Sequence, residues 1–215
     1  MKLTIIVPVY NGEELLERAL ESIPKREDIE ILIINDGSTD KTKQVATKWC
    51  KGKKNARVIN LTVNQGLGNA KNVGYDNAKG EYVNQLDHDD YLYTEEYNKV
   101  IDQLDGTDIV YMNLKQNDGM VLDIKSNPEY LCSGCARFIR REFLGDTRCP
   151  DTRYAEDWHL THELSKKPHT DKFTGIVAYH YNTPRERKPL RPGEKRTSRG
   201  QCSKTKKDNL MATLF

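Results

Sequence analysis

The chain has 215 residues, with 34 Lys or Arg against 32 Asp or Glu and a formal net charge of +2, a length that suits one large domain with its own core. A hydrophobic fraction of 36% beside a charged fraction of 31% excludes a disordered polyelectrolyte, and no apolar run approaches the roughly 20 residues of a membrane-spanning helix. Five cysteines, an odd count at irregular spacing, do not make the framework of a small disulfide-stapled domain.

The first hundred residues alternate strand and helix patterns. Residues 3–9 form a β-branched apolar run that Pro8 closes, which predicts a parallel strand covered on both faces. No small-residue cleavage site follows it, so the segment reads as a buried strand of a cytoplasmic protein and not as a signal peptide. Residues 13–23 carry Leu15, Leu16, Ala19, Leu20 and Ile23 at helical spacing, and Pro24 stops the helix. A second buried strand spans 30–35. Asp36, Gly37, Ser38 and Thr39 then offer turn and N-cap chemistry for a helix reaching about Cys50.

A third strand is expected at 57–61, a helix at 66–78 despite Gly68 and Gly74, and a fourth strand at 81–86 that ends on Asp87, His88, Asp89 and Asp90. A helix at 95–104, a strand at 108–113, a hairpin turn at 116–123, a helical stretch at 136–144, a helix at 156–166 and a β-rich run at 173–181 follow. This order predicts an α/β fold: one domain with a Rossmann-like, mostly parallel sheet and flanking helices. The stretch 185–207 holds ten Lys or Arg against two Glu, a local charge of +8 that leaves −6 on the rest of the chain. A short amphipathic helix at 206–214 closes the reading.

Polar residues collect at the four strand ends: Tyr10, Asn11 and Glu14, then Asp36, then Asn64 and Gly66, then Asp87, Asp89 and Asp90. Each alone reads equally as turn or capping chemistry. In open α/β sheets, however, ligands bind off the carboxyl ends of the strands. Three carboxylates within four residues repel one another unless a cation or hydrogen bonds offset the repulsion, and hard divalent ions take oxygen ligands and bridge carboxylates to phosphates. The competing reading is a solvated acidic loop that caps the next helix.

These residues carry a resemblance. VPVYN at 7–11, NDGSTD at 35–40, NQGLGNAKNVG at 64–74, LDHDD at 86–90 and AEDWHL at 155–160 are similar, in order, to the motifs of family 2 glycosyltransferases, inverting enzymes of the GT-A fold. The resemblance implies that Pro8, Tyr10, Asn11 and Glu14 line a nucleotide, that Asp36 accepts a hydrogen bond from its uracil ring, and that Asn64, Gly66, Lys71 and Asn72 belong to the same donor site. Where the family usually has Arg before Asn, this chain has Lys71, which keeps the charge and loses the planar fork. Asp87 and Asp89 match the DxD pair, one facing the ribose and the other a Mn²⁺ or Mg²⁺ ion on the diphosphate. Asp90 competes for the metal role, and His88 is a bystander.

The resemblance further makes Asp157, beside Glu156, the general base that accepts the proton of an attacking hydroxyl; an adjacent acid pair opening a helix is otherwise a favourable dipole arrangement. One displacement with one base inverts the anomeric carbon. His180 stands where some relatives offer a late histidine to the metal, against the plainer reading of a structural histidine.

The basic stretch reads either as a lid over the diphosphate, with Arg185, Arg187, Arg191, Arg196 and Arg199 as its cations, or as a tail for an anionic partner or the inner membrane face. Cys132, Cys135 and Cys149 lack the third and fourth ligand spacing of a zinc site and read as free thiols.

The expected organisation is a catalytic domain at 1–184, divided into a nucleotide-sugar half at 1–104 and an acceptor half at 105–184, with a basic segment at 185–215. The expected reaction moves a sugar from a nucleotide diphosphate, with a UDP-sugar first, to a hydroxyl on a saccharide, polymer or lipid-linked acceptor. The alternatives are a nucleotidyltransferase, whose Gly-rich basic loop after the first strand is missing, and a nucleic-acid-binding or DNA-modifying protein gripping through the tail.

Overall fold

The computed structural model describes residues 1–151 and 155–183. In chain order these form β1 (Leu3–Val9), α1 (Leu16–Glu21), β2 (Ile29–Asn35), α2 (Thr42–Cys50), β3 (Ala56–Asn60), α3 (Leu67–Asn77), β4 (Tyr82–Gln85), β5 (Tyr91–Leu92) and α4 (Thr94–Ile101). Then come β6 (Ile109–Gln116), β7 (Val121–Leu122), β8 (Arg137–Arg140), α5 (Arg141–Leu144), α6 (Glu156–Ser165) and β9 (Asp171–Tyr181), with short 3-10 turns at Pro128–Tyr130 and Gly134–Ala136. The strands make one sheet in the order β3-β2-β1-β4-β8-β6-β9-β5, with β7 added to β6. Among the described residues no helix is long and apolar enough to cross a membrane.

β1 and β2 are buried along their whole length because helices cover both faces of the sheet. Alternate residues therefore enter different cores. Leu3, Ile5, Val7 and Val9 join Leu16 and Leu20 of α1, Trp49 of α2 and Tyr97 of α4. Ile6 meets Ala70 and Tyr75 of α3 and Leu160 and Leu164 of α6 on the other side. Gly74 permits the α3 contact: a Cβ there would lie 2.4 Å from Ile6 Cγ2. Gly74→Val is thus expected to push α3 off the sheet and to destabilise the fold by about 1–3 kcal/mol, read as a lowered denaturant midpoint at unchanged slope.

The parallel pairing predicted for the first hundred residues holds across β3, β2, β1 and β4, so their carboxyl ends share one edge. Pro8 lies inside β1, opposite Ile34, just past the last β4 partner of β1, where its missing N–H deprives no ladder bond. The second half is mixed: β8 runs antiparallel to both β4 and β6, whereas β6 and β9 are parallel.

Two local expectations need correction. The helical stretch at 136–144 is instead a 3-10 turn, strand β8 and a single helical turn, because Phe138 and Ile139 enter opposite cores and so need the two-sided burial of a central strand. The first helix starts at Leu16 and not at residue 13, because the preceding segment is tied to the 38–42 loop. The Gly12 N–H donates to Thr42 Oγ1 at 2.8 Å and the Glu13 N–H to Asp40 Oδ2 at 3.1 Å.

Candidate active site

The loops after β1, β2 and β3 brace one another. Asn11, at φ +50°, accepts the Thr39 N–H on Oδ1 at 2.9 Å, and its own N–H donates to Ser38 Oγ at 3.0 Å. Ser38 and Thr39 are therefore not the cap of α2, as expected. Asp40 serves there, its Oδ1 accepting the Thr42 N–H at 2.9 Å. Tyr10, 44% exposed, stands free at the end of β1, and Glu14 lines a pocket of about 250 Å³ with Asn11, Asp40 and His88.

Asp36 is buried, and each carboxylate oxygen accepts one backbone N–H, from Gln65 at 2.8 Å and Gly66 at 2.9 Å. These bonds fix the start of α3. A carboxylate has about four acceptor positions, so two remain for a ligand. Gly66 holds φ +91°, and a Cβ there would meet nothing within 4 Å. Its need is conformational and not the packing that Gly74 serves. The exposed Asn64 packs its backbone against Gly37, where a Cβ would lie 2.5 Å from Asn64 N.

The acidic turn after β4 divides its carboxylates by task. Asp90 is 2% exposed; its Oδ2 accepts the Tyr179 hydroxyl at 2.7 Å and its Oδ1 the Asn182 N–H at 2.7 Å. Burial and the neighbouring Asp87 charge push its carboxyl up to about 8, against the pull of those two donors. Asp90 thus pins β9 to the turn, each of its oxygens accepting one donor. Asp87 accepts from Gln85 Nε2 on one oxygen only, and its N–H donates to the Tyr179 hydroxyl. Burial raises its carboxyl, with Lys71 pulling the other way. Asp89 is half-buried and its side chain makes no hydrogen bond among the described residues, while its backbone carbonyl accepts from Arg18 Nη2. His88 packs its ring on Gly12.

The expectation for Lys71 is overturned in its partner. Lys71 is 1% exposed, and its Nζ donates to Asp157 Oδ1 at 2.7 Å and to Glu156 Oε1 at 2.9 Å across two helices. Burial alone would lower the ammonium pKa, but Asp157, Glu156 and Asp87 together outweigh it and the net shift is upward, so the ammonium stays charged. The other oxygen of Asp157 accepts the Gly134 N–H at 3.3 Å, and a Cβ on Gly134 would lie 2.8 Å from Oδ1. The Asp157 carbonyl accepts the Thr161 hydroxyl, which in turn accepts from buried Arg137. Asp157 keeps a quarter of its side chain exposed, enough for a hydroxyl to reach it.

Two further candidate residues bond within the protein. Asn72 donates to the Cys149 carbonyl and accepts the Cys149 N–H, both at 2.8 Å, so its amide tethers the segment after α5. His180 stacks on Tyr91 at 4.2 Å and engages both ring nitrogens, Nδ1 with the Tyr93 hydroxyl at 3.0 Å and Nε2 with Asn117 Oδ1 at 2.8 Å. Since Asn117 Nδ2 already donates to Asn182 and Thr183, its oxygen must accept, which assigns Nε2–H as donor and leaves Nδ1 accepting. Burial, Arg18 and Lys115 lower the His180 pKa, in keeping with the accepting Nδ1 that this bonding requires. Among the described residues no cluster of three or more His, Cys, Asp or Glu could by itself hold a metal ion. Pro184, the basic segment 185–215 with Arg196, and the short helix expected at 206–214 lie outside the described residues.

Sequence reasoning missed Gly134, Arg137, Thr161 and Tyr179. A glycine directly before a Cys-Ala pair was a legible signal of close approach; the other three gain their meaning from partners 24 to 92 positions away.

The arrangement joins an acidic turn with unengaged carboxylate oxygens to a reachable carboxylate held by an ammonium and an amide. Lys71 feels the charges of both Asp157 and Asp87, and Asp87 feels that of Asp157, so the acidic turn and the base candidate lie near one another.

The fold is that of known sugar-nucleotide enzymes. A crystal structure of S. aureus TarS 1–349 in complex with UDP-GlcNAc superposes with a TM-score of 0.74 at 26% identity, covering 86% of this chain and 60% of that one. Poly(ribitol-phosphate) beta-glucosyltransferase of Bacillus spizizenii is 39% identical over 100 residues, 44% of this chain and 16% of that protein. The minor teichoic acid biosynthesis protein GgaB of Bacillus subtilis is 26% identical over 202 residues, 83% of this chain and 22% of that protein. The chain thus spans less than a quarter of the length of either of these two relatives. The family model for glycosyl transferase family 2 matches residues 4–191, and the chain belongs to that family.

Proposed function

We propose that the protein is an inverting glycosyltransferase that moves a sugar from a UDP-sugar to a hydroxyl of a polyol- or saccharide-based polymer, with Asp157 as general base. The observation that carries this reading is the Asp157 carboxylate, a quarter exposed, held by Lys71 and close enough to Asp87 to feel its charge. The UDP-GlcNAc complex of TarS supports the uridine donor, and the poly(ribitol-phosphate) glucosyltransferase and the teichoic acid biosynthesis protein support a polymeric acceptor.

The donor's nucleotide lies, in this reading, against Pro8, Tyr10, Asn11, Glu14, Asp36, Asn64 and Gly66, with Tyr10 offering an exposed ring and Asp36 its remaining acceptor positions. Asp89 and the unengaged oxygen of Asp87 are hard oxygen donors that fit Mn²⁺ or Mg²⁺, and two carboxylates plus phosphate oxygens are a usual set for such an ion. A cation held there supplies charge stabilisation to the departing diphosphate. Asp157 accepts the acceptor's hydroxyl proton as the oxygen bonds to the anomeric carbon. The carbon–phosphate oxygen bond breaks with its electron pair leaving on the nucleoside diphosphate. Attack from the face opposite the leaving group inverts the centre. Glu156 shares the Lys71 ammonium and keeps the base from monopolising that charge.

Release of nucleoside diphosphate from UDP-, GDP- and dTDP-sugars, with and without Mn²⁺, tests the donor reading. Turnover confined to UDP-sugars supports it, and turnover of a GDP-sugar alone overturns it.

A further inference from the structure

Lys71 sits on α3 five residues past Gly66, about 7.5 Å along the helix axis at 1.5 Å per residue. The start of that helix is held by Asp36 on the nucleotide side, through the N–H groups of Gln65 and Gly66. The Lys71 ammonium bonds Glu156 and Asp157 at the start of α6, 85 and 86 positions later in the chain. Gly68 on the same helix brings the two helices close, since a Cβ there would lie 3.3 Å from Glu156 Cβ. The tetrahedral ammonium meets two carboxylates as a point charge, which a compact, fully buried cavity admits more readily than a planar guanidinium fork.

We propose that Lys71 is the positioning residue of the base: it fixes the Asp157 carboxylate from the donor-side helix, together with the Gly134 N–H, and makes no contact with the sugar nucleotide. This rests on the reading of Asp157 as the base. Ion pairing through one oxygen and an amide through the other hold the carboxylate plane, so the lone pair that takes the proton is aimed by α3. The ammonium is faced by Asp157 and Glu156 from α6, by Asp87 from the end of β4 and by Tyr75 from its own helix; Cys149 also feels its charge.

The experiment compares Lys71→Met and Lys71→Arg with Asp157→Asn, using the UDP-sugar that the wild-type protein hydrolyses fastest and UDP titration by calorimetry in the presence of Mn²⁺. Lys71→Met is expected to lower kcat at least about 100-fold, with KM for the donor and Kd for UDP each within about threefold of wild type. Lys71→Arg restores at least a tenth of the lost rate. The double variant Lys71→Met with Asp157→Asn turns over no more slowly than Asp157→Asn alone, because the two act as a unit.

A rise of tenfold or more in KM and in the Kd for UDP would make Lys71 a donor contact and overturn the proposal. A lowered melting temperature with unchanged kcat per folded molecule would make it structural only and overturn it equally. If Asp157→Asn itself keeps wild-type turnover, the base reading falls and this proposal with it; if Asp157→Asn is inactive while Lys71→Met keeps its kcat, only this proposal falls.

Discussion

Asp157→Asn is expected to lower sugar transfer by about 10²–10⁴-fold, the range that a positioned general base contributes, while Kd for UDP stays within about threefold of wild type. Asparagine keeps the size of the side chain and removes its ability to accept a proton. It also places an NH₂ group opposite either Lys71 Nζ or the Gly134 N–H, both of which are donors, so one of the two contacts is lost. The loops after β1, β2 and β3, to which the proposal assigns the nucleotide, hold one another through hydrogen bonds that do not involve Asp157. Single-turnover transfer and calorimetric UDP titration separate the two effects. Loss of UDP binding in this variant would move Asp157 to the donor side.

The second large effect concerns the acidic turn. Removing divalent cations with chelator, or replacing Asp89 with Asn, is expected to cut turnover by at least about 100-fold, since stabilisation of the departing diphosphate is lost in either case. Asp90→Asn behaves differently. Asp90 pins Tyr179 and the Asn182 backbone, so its loss lowers thermal stability and leaves the Mn²⁺ concentration for half-maximal turnover near that of wild type. Turnover that is indifferent to chelator would remove the metal role of both Asp87 and Asp89.

The parallel half of the fold was legible because its strands are buried on both faces and its helices amphipathic, so local pattern and tertiary environment agree. β8 was not: Arg137-Phe138-Ile139-Arg140 is too short to display a period, and only its place between β4 and β6 makes it a strand. The candidate residues were legible as a set, since acids and amides concentrate at the strand ends. Their division of labour was not. Asp89 and Asp90 are neighbours of the same chemical type, and one becomes a buried clamp because β9 returns alongside β5. Lys71, Asn72 and His180 each have a motif-like setting, yet their partners lie 63 to 87 positions away in sequence. Helix and strand patterns report local geometry, and such partners are set by how the sheet closes.

A crystal structure with an unhydrolysed UDP-sugar analogue and Mn²⁺ is the most direct test. The account predicts manganese on the Asp89 carboxylate and on diphosphate oxygens, with the anomeric carbon on the same side of the cleft as the Asp157 carboxylate. Diphosphate and manganese bound away from the Asp87–Asp89 turn, or an anomeric carbon shielded from Asp157, would contradict it.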